Sequence, residues 1–408
     1  MCRRVVITGM GAVSPYGEGV PVLLDGIGAG KAAITRLDTK EEDAIAVAGL
    51  VPSVCEKRIP RGLRRSMSPL SVYACLAAWE ALEQARLPRD GSRRMGVCIG
   101  STLGSPLVLE RFFTNYLAGH IPDDVRSTTF FKVMSHSAAA NVALACKASG
   151  RLLAPAAACA SGLGSIALGY EAIALGREEI MLAGGTDEYH VLTSAIFDLL
   201  GAASREKDPA IASRPFDSHR SGVVCGEGAG VLVLESLESA IARKALIYAE
   251  IAGYAMTSDA VNIAHPNAAS MATCMQEALE WAHCPPSAVA YVSAHGTATE
   301  SGDIAEGQAI ASVFGTKTPV ASLKGHMGHT MAASGVLESI ACVRMLQTKT
   351  YLPTWGLETA DPRCGEIRLL QSPERIPEAR YIVKNSFALG GVHVCLVLKK
   401  CDSFALFR

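Results

Sequence analysis

The chain is expected to fold as an α/β protein made of two similar halves, and two patterns in the sequence predict it. Short β-branched runs alternate with longer helical ones: Arg4–Thr8, Ser71–Ala85, Met95–Gly100, Gly162–Gly176 and Ile180–Gly184 read as strand, helix, strand, helix and strand. The second pattern is an internal echo. Residues 71–102 and 270–297 each give an alanine-rich helix containing Ala-Leu-Glu, a proline break, a short apolar strand and a small-residue turn. A further pair, ACASGLGSIALGYEAIALG and GHTMAASGVLESIACVRML, reads as small residues followed by an amphipathic helix. Two halves, 1–245 and 246–408, account for both echoes, although alanine-rich helices also echo one another by chance.

The elements can be taken in order. Val5–Thr8 reads as a strand ended by Gly9. The following Gly9-Met-Gly11-Ala-Val-Ser14 lacks the third glycine and the later acidic residue of a dinucleotide fingerprint. Gly26–Lys31 lacks the Gly-Lys-Ser/Thr ending of a phosphate loop. No proline-rich or charged linker divides the chain. With 408 residues, 49% apolar and only 19% charged, it can bury a large core worth two or three domain-sized units. A formal net charge of −1 gives no global field toward nucleic acid or a membrane surface. The 13 cysteines form no C-x-x-C pair, and Cys75, Cys98, Cys146, Cys342 and Cys395 sit in apolar runs, as buried thiols in a reducing compartment do. No apolar run approaches a membrane span, and the first is too short for a signal peptide. A soluble, cytoplasmic protein is expected.

Four clusters carry chemistry. Cys159, in AAACASGLG, stands among small residues where a helix should begin. The positive end of that helix would favour a thiolate and lower the thiol pKa. His295, in SAHGTATESGD, follows the apolar strand Ala290–Ser293, and strand ends are where α/β folds place functional side chains. Thr297 and Thr299 alternate beyond it, so both hydroxyls could face one side. Lys324-Gly-His-Met-Gly-His329 opens a helix expected over Thr330–Leu346. Its H-x-x-H pair has no third or fourth metal ligand at a familiar spacing. A histidine before a helix N-terminus tends to stay neutral and can donate an N–H to an oxyanion; His329 suits that role, and His326 reads as structural. Asn385–Gly391 is a strand end running into a double-glycine turn, where backbone can approach a ligand. A buried cysteine, a loop histidine and an ordinary hairpin are the plain alternatives to each cluster alone.

Together these clusters resemble the β-ketoacyl-acyl carrier protein synthases, most closely the elongating type II group. The resemblance rests on VVITGMGAVSPYG, ACASG, AGGTDE, RPFDSHRSGVVCGEGAG, HGTATESGD, KGHMGH and NSFALGG, in one order and nearly end to end. It implies a duplicated five-layered αβαβα thiolase fold. It also implies that Cys159 takes an acyl group as a thioester and that the product of condensation with malonyl-acyl carrier protein is a 3-oxoacyl-acyl carrier protein. His295 and His329 would serve the second substrate, with Lys324 in support and Asp303, Glu306 and Glu338 holding the surrounding network. Backbone N–H groups of Cys159 and Leu389 would form the oxyanion hole. Thr297 and Thr299 would contact the phosphopantetheine arm, and Phe387 and Leu389 would form the gate. No metal or organic cofactor is implied.

The chain departs from the family pattern at Ala157, where a hydroxyl residue is usual, and at Ala388 and Leu389, which stand for glycine and phenylalanine of the gate. His136 stands where asparagine is common. That segment looks like specialised synthases of polyene pathways such as aryl polyenes. Acyl and malonyl carrier proteins are the implied partners. The implied assembly is a homodimer, or alternatively a heterodimer with a chain-length-factor subunit. Because the carrier is acidic, a basic patch is expected, and Arg58, Arg61, Arg64 and Arg65 cluster before the Ser71 helix, with Arg65 at a docking position of the family. A solvated charged loop is the alternative. A thiolase would instead need a second catalytic cysteine, in regions where His329 and Leu389 stand.

Overall fold

The computed structural model describes residues 2–38, 45–119, 127–263 and 265–401. Strand β1 is Val5–Ser14, followed by β2 (Gly96–Gly100), β3 (Leu152–Leu153), β4 (Ile180–Asp187) and β5 (Gly228–Ser236). The later strands are β6 (Ala249–Ser258), β7 (Val289–Ser293), β8 (Pro319–Ala321), β9 (Arg368–Leu369), β10 (Tyr381–Ala388) and β11 (Val392–Lys399). Across the sheet they run β9-β8-β7-β10-β11-β6-β1-β5-β4-β2-β3. The order repeats outward from the centre. β1 pairs antiparallel with β5, β5 antiparallel with β4, and β4 parallel with β2, which is parallel to β3. β6, β11, β10, β7 and β8 reproduce that series of directions. The two series join where Val5–Ile7 pairs antiparallel with Ala249–Ile251. This is the duplicated thiolase fold.

The period-2 alternation of the strands shows why there are five layers. In β5, Ala229, Val231 and Val233 enter one apolar core while Leu232 and Leu234 enter another. In β11, Val394, Leu396 and Leu398 join that same second core while Cys395 and Val397 enter a third. Each half-sheet therefore has two covered faces, and each buried aliphatic side chain contributes roughly 1.5–3 kcal/mol. The outer helices are α1 (Pro69–Ala85) and α2 (Ser137–Cys146) on the first half, and α4 (Ala268–Trp281) and α5 (Glu300–Phe314) on the second. Between the half-sheets lie α3 (Ser161–Ala174) and α6 (Ser334–Thr348), packed on each other and on strands of both halves. α3 and α6 are the two members of the second sequence echo; α1 and α4 are those of the first. Among the described residues no helix is long and apolar enough to cross a membrane.

Two expectations are corrected. β1 does not end at Gly9 but continues to Ser14 with an irregularity between Ile7 and Gly9. Gly9 and Gly11 are contact residues: a Cβ on either would lie 2.1 and 1.9 Å from the Ala81 and Ala77 carbonyl oxygens of α1. The helix expected at Thr330 begins at Ser334, after a 3₁₀ turn over Met331–Ala333. Met331 has a φ of 51°, which breaks the helix upstream of Ser334. The N-termini of α3 and α6 meet through glycine: a Cβ on Gly162 would lie 2.0 Å from the Ala332 carbonyl oxygen. That close crossing brings residue 159 beside residue 329.

Candidate active site

Cys159 occupies a tight turn immediately before α3. Ala158 sits at φ 46°, a left-handed conformation that costs an L-residue about 1–2 kcal/mol. Ser161 braces it: its Oγ accepts the Ala157 N–H at 2.8 Å and donates to the Ala158 carbonyl at 2.7 Å. The Ala160 and Ser161 N–H groups also close turns onto the Ala157 and Ala158 carbonyls. The Cys159 N–H has no such turn partner among the described residues. The Ser386 hydroxyl of β10 donates to the Cys159 carbonyl at 3.1 Å, so the second half holds the Cys159 turn of the first.

His295 lies two residues past β7. Its N–H and that of Gly296 each donate to one oxygen of the Glu306 carboxylate, both at 2.7 Å. The next two amides, Thr297 and Ala298, donate to Asp303 Oδ1 at 3.0 and 3.1 Å. Two buried carboxylates from the first turns of α5 therefore shape the loop. The Thr297 and Thr299 hydroxyls share a 3.0 Å hydrogen bond, so they do face one side. Thr299 is the residue capping α5, yet its side chain makes no capping hydrogen bond.

His329 is held from the first half of the chain. Its N–H donates to the Val224 carbonyl at 2.7 Å, and its carbonyl accepts the Gly226 N–H at 2.8 Å. Its Nδ1 is 2.9 Å from Ser334 Oγ, the first residue of α6. The rings of His295 and His329 meet edge to face with centroids 5.2 Å apart. Two buried nitrogens, His295 Nδ1 and His329 Nε2, have no hydrogen-bond partner among the described residues. His326 points elsewhere, with Nε2 3.1 Å from the Pro353 carbonyl and its ring near Trp355. The two histidines of H-x-x-H thus diverge.

Behind the histidines lies a buried charge cluster. Lys324 Nζ donates to Glu338 Oε1 at 2.8 Å, and Lys384 Nζ pairs with the other carboxylate oxygen at 2.5 Å. Burial, with the Lys324 and Lys384 charges in support, holds both histidines well below the usual imidazole range. Both are therefore neutral, as expected for His329. The helix terminus is not needed to explain it. For Cys159 the expectation of a lowered thiol pKa is not met. Burial pushes the Cys159 thiol up to about 12; Lys324 pulls it down and Asp187 pushes it further up. Desolvation of the sulfur is the largest influence on it. Burial likewise raises the Asp303 carboxyl to about 7, against the pull of its amide donors and Arg220.

Cys159, His295, His329, Thr297, Thr299, Phe387 and Leu389 line one cavity of about 580 Å³. Asp303 and Glu306 border it as well. Lys324 and Glu338 lie behind the histidines. Phe387 is buried and packs edge-on against His393 at 5.1 Å, while Leu389 is 42% exposed. The Gly390 N–H donates to Ile263 and the Gly391 carbonyl accepts from Asp259, tying the double-glycine turn to the segment after β6. Arg61, Arg64 and Arg65 lie away from this cavity, on and just after the short helix Arg61–Arg64. Arg64 is engaged with Glu56 at 2.9 Å and with the Ile59 carbonyl, whereas Arg61 and Arg65 are exposed. The sequence reading missed Lys384, Ser161 and Ser334. A lysine inside the apolar strand Tyr381–Ala388 was the available signal for the first; the two serines have none beyond their helix starts.

The sequence matches the family described as Beta-ketoacyl synthase, N-terminal domain, over residues 2–240, and Beta-ketoacyl synthase, C-terminal domain, over residues 248–358. A 3-oxoacyl-[acyl-carrier-protein] synthase 2 of Staphylococcus aureus (strain COL) is 36% identical, covering 98% of this chain and 99% of its own. The crystal structure of a Beta-ketoacyl synthase from Burkholderia phymatum STM815 superposes with a TM-score of 0.93 at 40% identity, covering 98% of this chain and 100% of its own. The ishigamide ketosynthase/chain length factor superposes with a TM-score of 0.91 at 30% identity over the same shares.

Proposed function

The chain belongs to the β-ketoacyl synthase family and is an acyltransferase of its condensing class, and from that premise we propose that Cys159, His295 and His329 carry a decarboxylative Claisen condensation on carrier-protein thioesters. The observation that supports these roles is one cavity that brings together a thiol and two neutral imidazoles, each imidazole with a buried nitrogen lacking a partner. Cys159 sulfur attacks an acyl thioester, and the carrier leaves as its free thiol. The malonyl thioester then loses CO₂, and the electron pair of the broken bond forms an enolate. Neutral histidines donate hydrogen bonds to the enolate oxygen without protonating its carbon; each such donor is worth about 2.7–4 kcal/mol in comparable sites. A Ser334 hydroxyl donating to Nδ1 of His329 leaves the proton on Nε2, the nitrogen without a partner. The enolate carbon attacks the acyl carbonyl, whose oxyanion the Cys159 and Leu389 N–H groups hold. The Cys159 thiolate departs, leaving 3-oxoacyl-acyl carrier protein.

In this reading residues 1–245 supply the nucleophile and 246–408 the histidines. Lys324 and Glu338 form the ion pair behind His329, and Asp303 and Glu306 set the loop that carries His295. Thr297 and Thr299 bind the pantetheine amides, Thr299 with a hydroxyl not spent on its helix. Phe387 and Leu389 gate the acyl chain. The proposed assembly is a cytoplasmic homodimer. Similarity to a ketosynthase/chain length factor supports a second reading, a pathway-specific synthase of polyene or polyketide chains that works beside a partner subunit. Incubation with acyl and malonyl carrier proteins of graded chain length, read by intact mass, tests both. A product extended by one ketide unit is expected from the pure protein. Silence alone, relieved by a second subunit, selects the partner reading; silence in both sinks the assignment.

The docking patch is Arg61, Arg64 and Arg65, of which Arg61 and Arg65 are exposed and Arg64 makes a surface ion pair with Glu56. Arg61→Glu/Arg65→Glu is expected to raise KM for acyl carrier protein about tenfold and to spare a pantetheine thioester, as charges on a rim act mainly on encounter. Equal losses with both substrates would remove the docking role.

A further inference from the structure

Lys384 is fully buried on β10, at a position where the strand pattern calls for an apolar side chain. Its ε-ammonium lies within an oxygen cage: the Ser293, Ala294 and Asn385 carbonyls at 3.4, 3.2 and 2.6 Å, and Glu338 Oε2 at 2.5 Å. Three N–H donors meet three carbonyls, with a carboxylate alongside. Charge balance alone does not require it, because Glu338 already pairs with Lys324 on its other oxygen. What the cage joins is informative. Ser293 and Ala294 directly precede His295. Asn385 directly precedes Ser386, whose hydroxyl holds the Cys159 carbonyl. Glu338 is on α6, the helix whose first residue, Ser334, contacts His329.

We propose that Lys384 is a positioning residue whose ammonium acts as a built-in monovalent cation, fixing the end of β7 to the middle of β10 so that His295 and Cys159 keep their places, and adding positive charge beside the histidines. The proposal rests on the condensation reading for its kinetic consequence, but the cage itself does not. Around the histidine pair and its cavity the charged and titratable groups are Lys324, Lys384, His393, His265 and Cys159, with Glu306, Glu338, Asp303 and Asp259 as carboxylates. Removing Lys384 takes a cation from this set, so the histidines become easier to protonate.

Two variants test this. Lys384→Met fills the cage without a charge; Lys384→Ala empties it. Lys384→Met is expected to lower condensation roughly 100-fold, the cost of a small misplacement at a reacting centre. Its acid limb should move up by about half a pH unit or more, because a nearby cation no longer opposes imidazolium. In Lys384→Ala, ammonium chloride at about 50 mM should raise the melting temperature and restore condensation at least tenfold, as a ligand bound only by the folded cage must. Tetramethylammonium chloride at equal ionic strength should do neither, nor should ammonium rescue Lys384→Met. Condensation by Lys384→Met within about threefold of the parent, or an unmoved acid limb, would overturn the positioning role. A Lys384→Ala melting temperature indifferent to ammonium would overturn the cage. Absence of condensation by the unmodified protein would strike the reaction reading instead, and the ammonium-dependent melting would still decide the cage.

Discussion

Cys159→Ala is expected to form no acyl-enzyme and to lose condensation by about 10⁴-fold or more, the scale seen when a nucleophile is removed from a covalent mechanism. Decarboxylation of the malonyl thioester should continue, because the enolate is stabilised by His295 and His329, whose positions do not depend on the sulfur. Intact mass after exposure to acyl carrier protein reads the first effect, and CO₂ release without chain extension reads the second. Persistence of an acyl adduct would refute the nucleophile. The same residue yields a pH dependence. Burial pushes its thiol up to about 12, so the thiolate fraction rises about tenfold for each pH unit below that value. Acylation should therefore climb steadily between about pH 6.5 and 9. Condensation from preloaded acyl-enzyme should be level over that span, because both histidines are held well below 6.5 and are already neutral. A level acylation profile would show that the helix end and Lys324 outweigh desolvation at the sulfur.

The residues that carry this chemistry were legible where their identity could be read locally. Cys159 stands among alanines and glycines, and those small residues are what allow α3 to meet Ala332 at the Gly162 crossing. His295 could be placed because an apolar strand ends just before it. The apolar runs of β5 and β11 are nearly continuous, as strands covered on both faces require. What was not legible depends on contacts between segments far apart in the chain. Gly9 reads as a strand terminator by composition, but its lack of a side chain serves the carbonyl of Ala81. The sign of the Cys159 shift was misread because a local window contains the helix end and not the second half that buries the sulfur. Lys384 could be noticed as a charge in an apolar strand, yet its role needs Ser293, Ala294 and Glu338, which lie 46 or more positions upstream. The ion pair of Arg64 with Glu56 joins residues eight positions apart and has no local signal in the sequence.

Removing either histidine should separate the two halves of the reaction. His295→Ala and His329→Ala are each expected to lower condensation about 10²–10³-fold, the usual cost of one lost oxyanion donor. Acyl-Cys159 should still form in both, since neither ring is hydrogen-bonded to the sulfur turn among the described contacts. The double variant should cost less than the product of the two, because both donors serve one oxygen and act as a unit. His329→Asn should recover part of the loss if its amide N–H reaches the place of Nε2. Stability supplies the discriminating measurement. His295 Nδ1 and His329 Nε2 are buried without partners among the described residues, and an unsatisfied buried polar group costs a fold about 1–3 kcal/mol. Truncation removes that cost while opening space beside an existing cavity, so the two effects oppose each other and the melting temperature should change little. A histidine retained for structure would behave differently: its removal would lower the melting temperature and impair acylation and condensation alike. Loss of condensation alone, in a protein as stable as before, is the result that identifies these nitrogens as donors kept unpaired in the free enzyme for the charge that forms on the enolate.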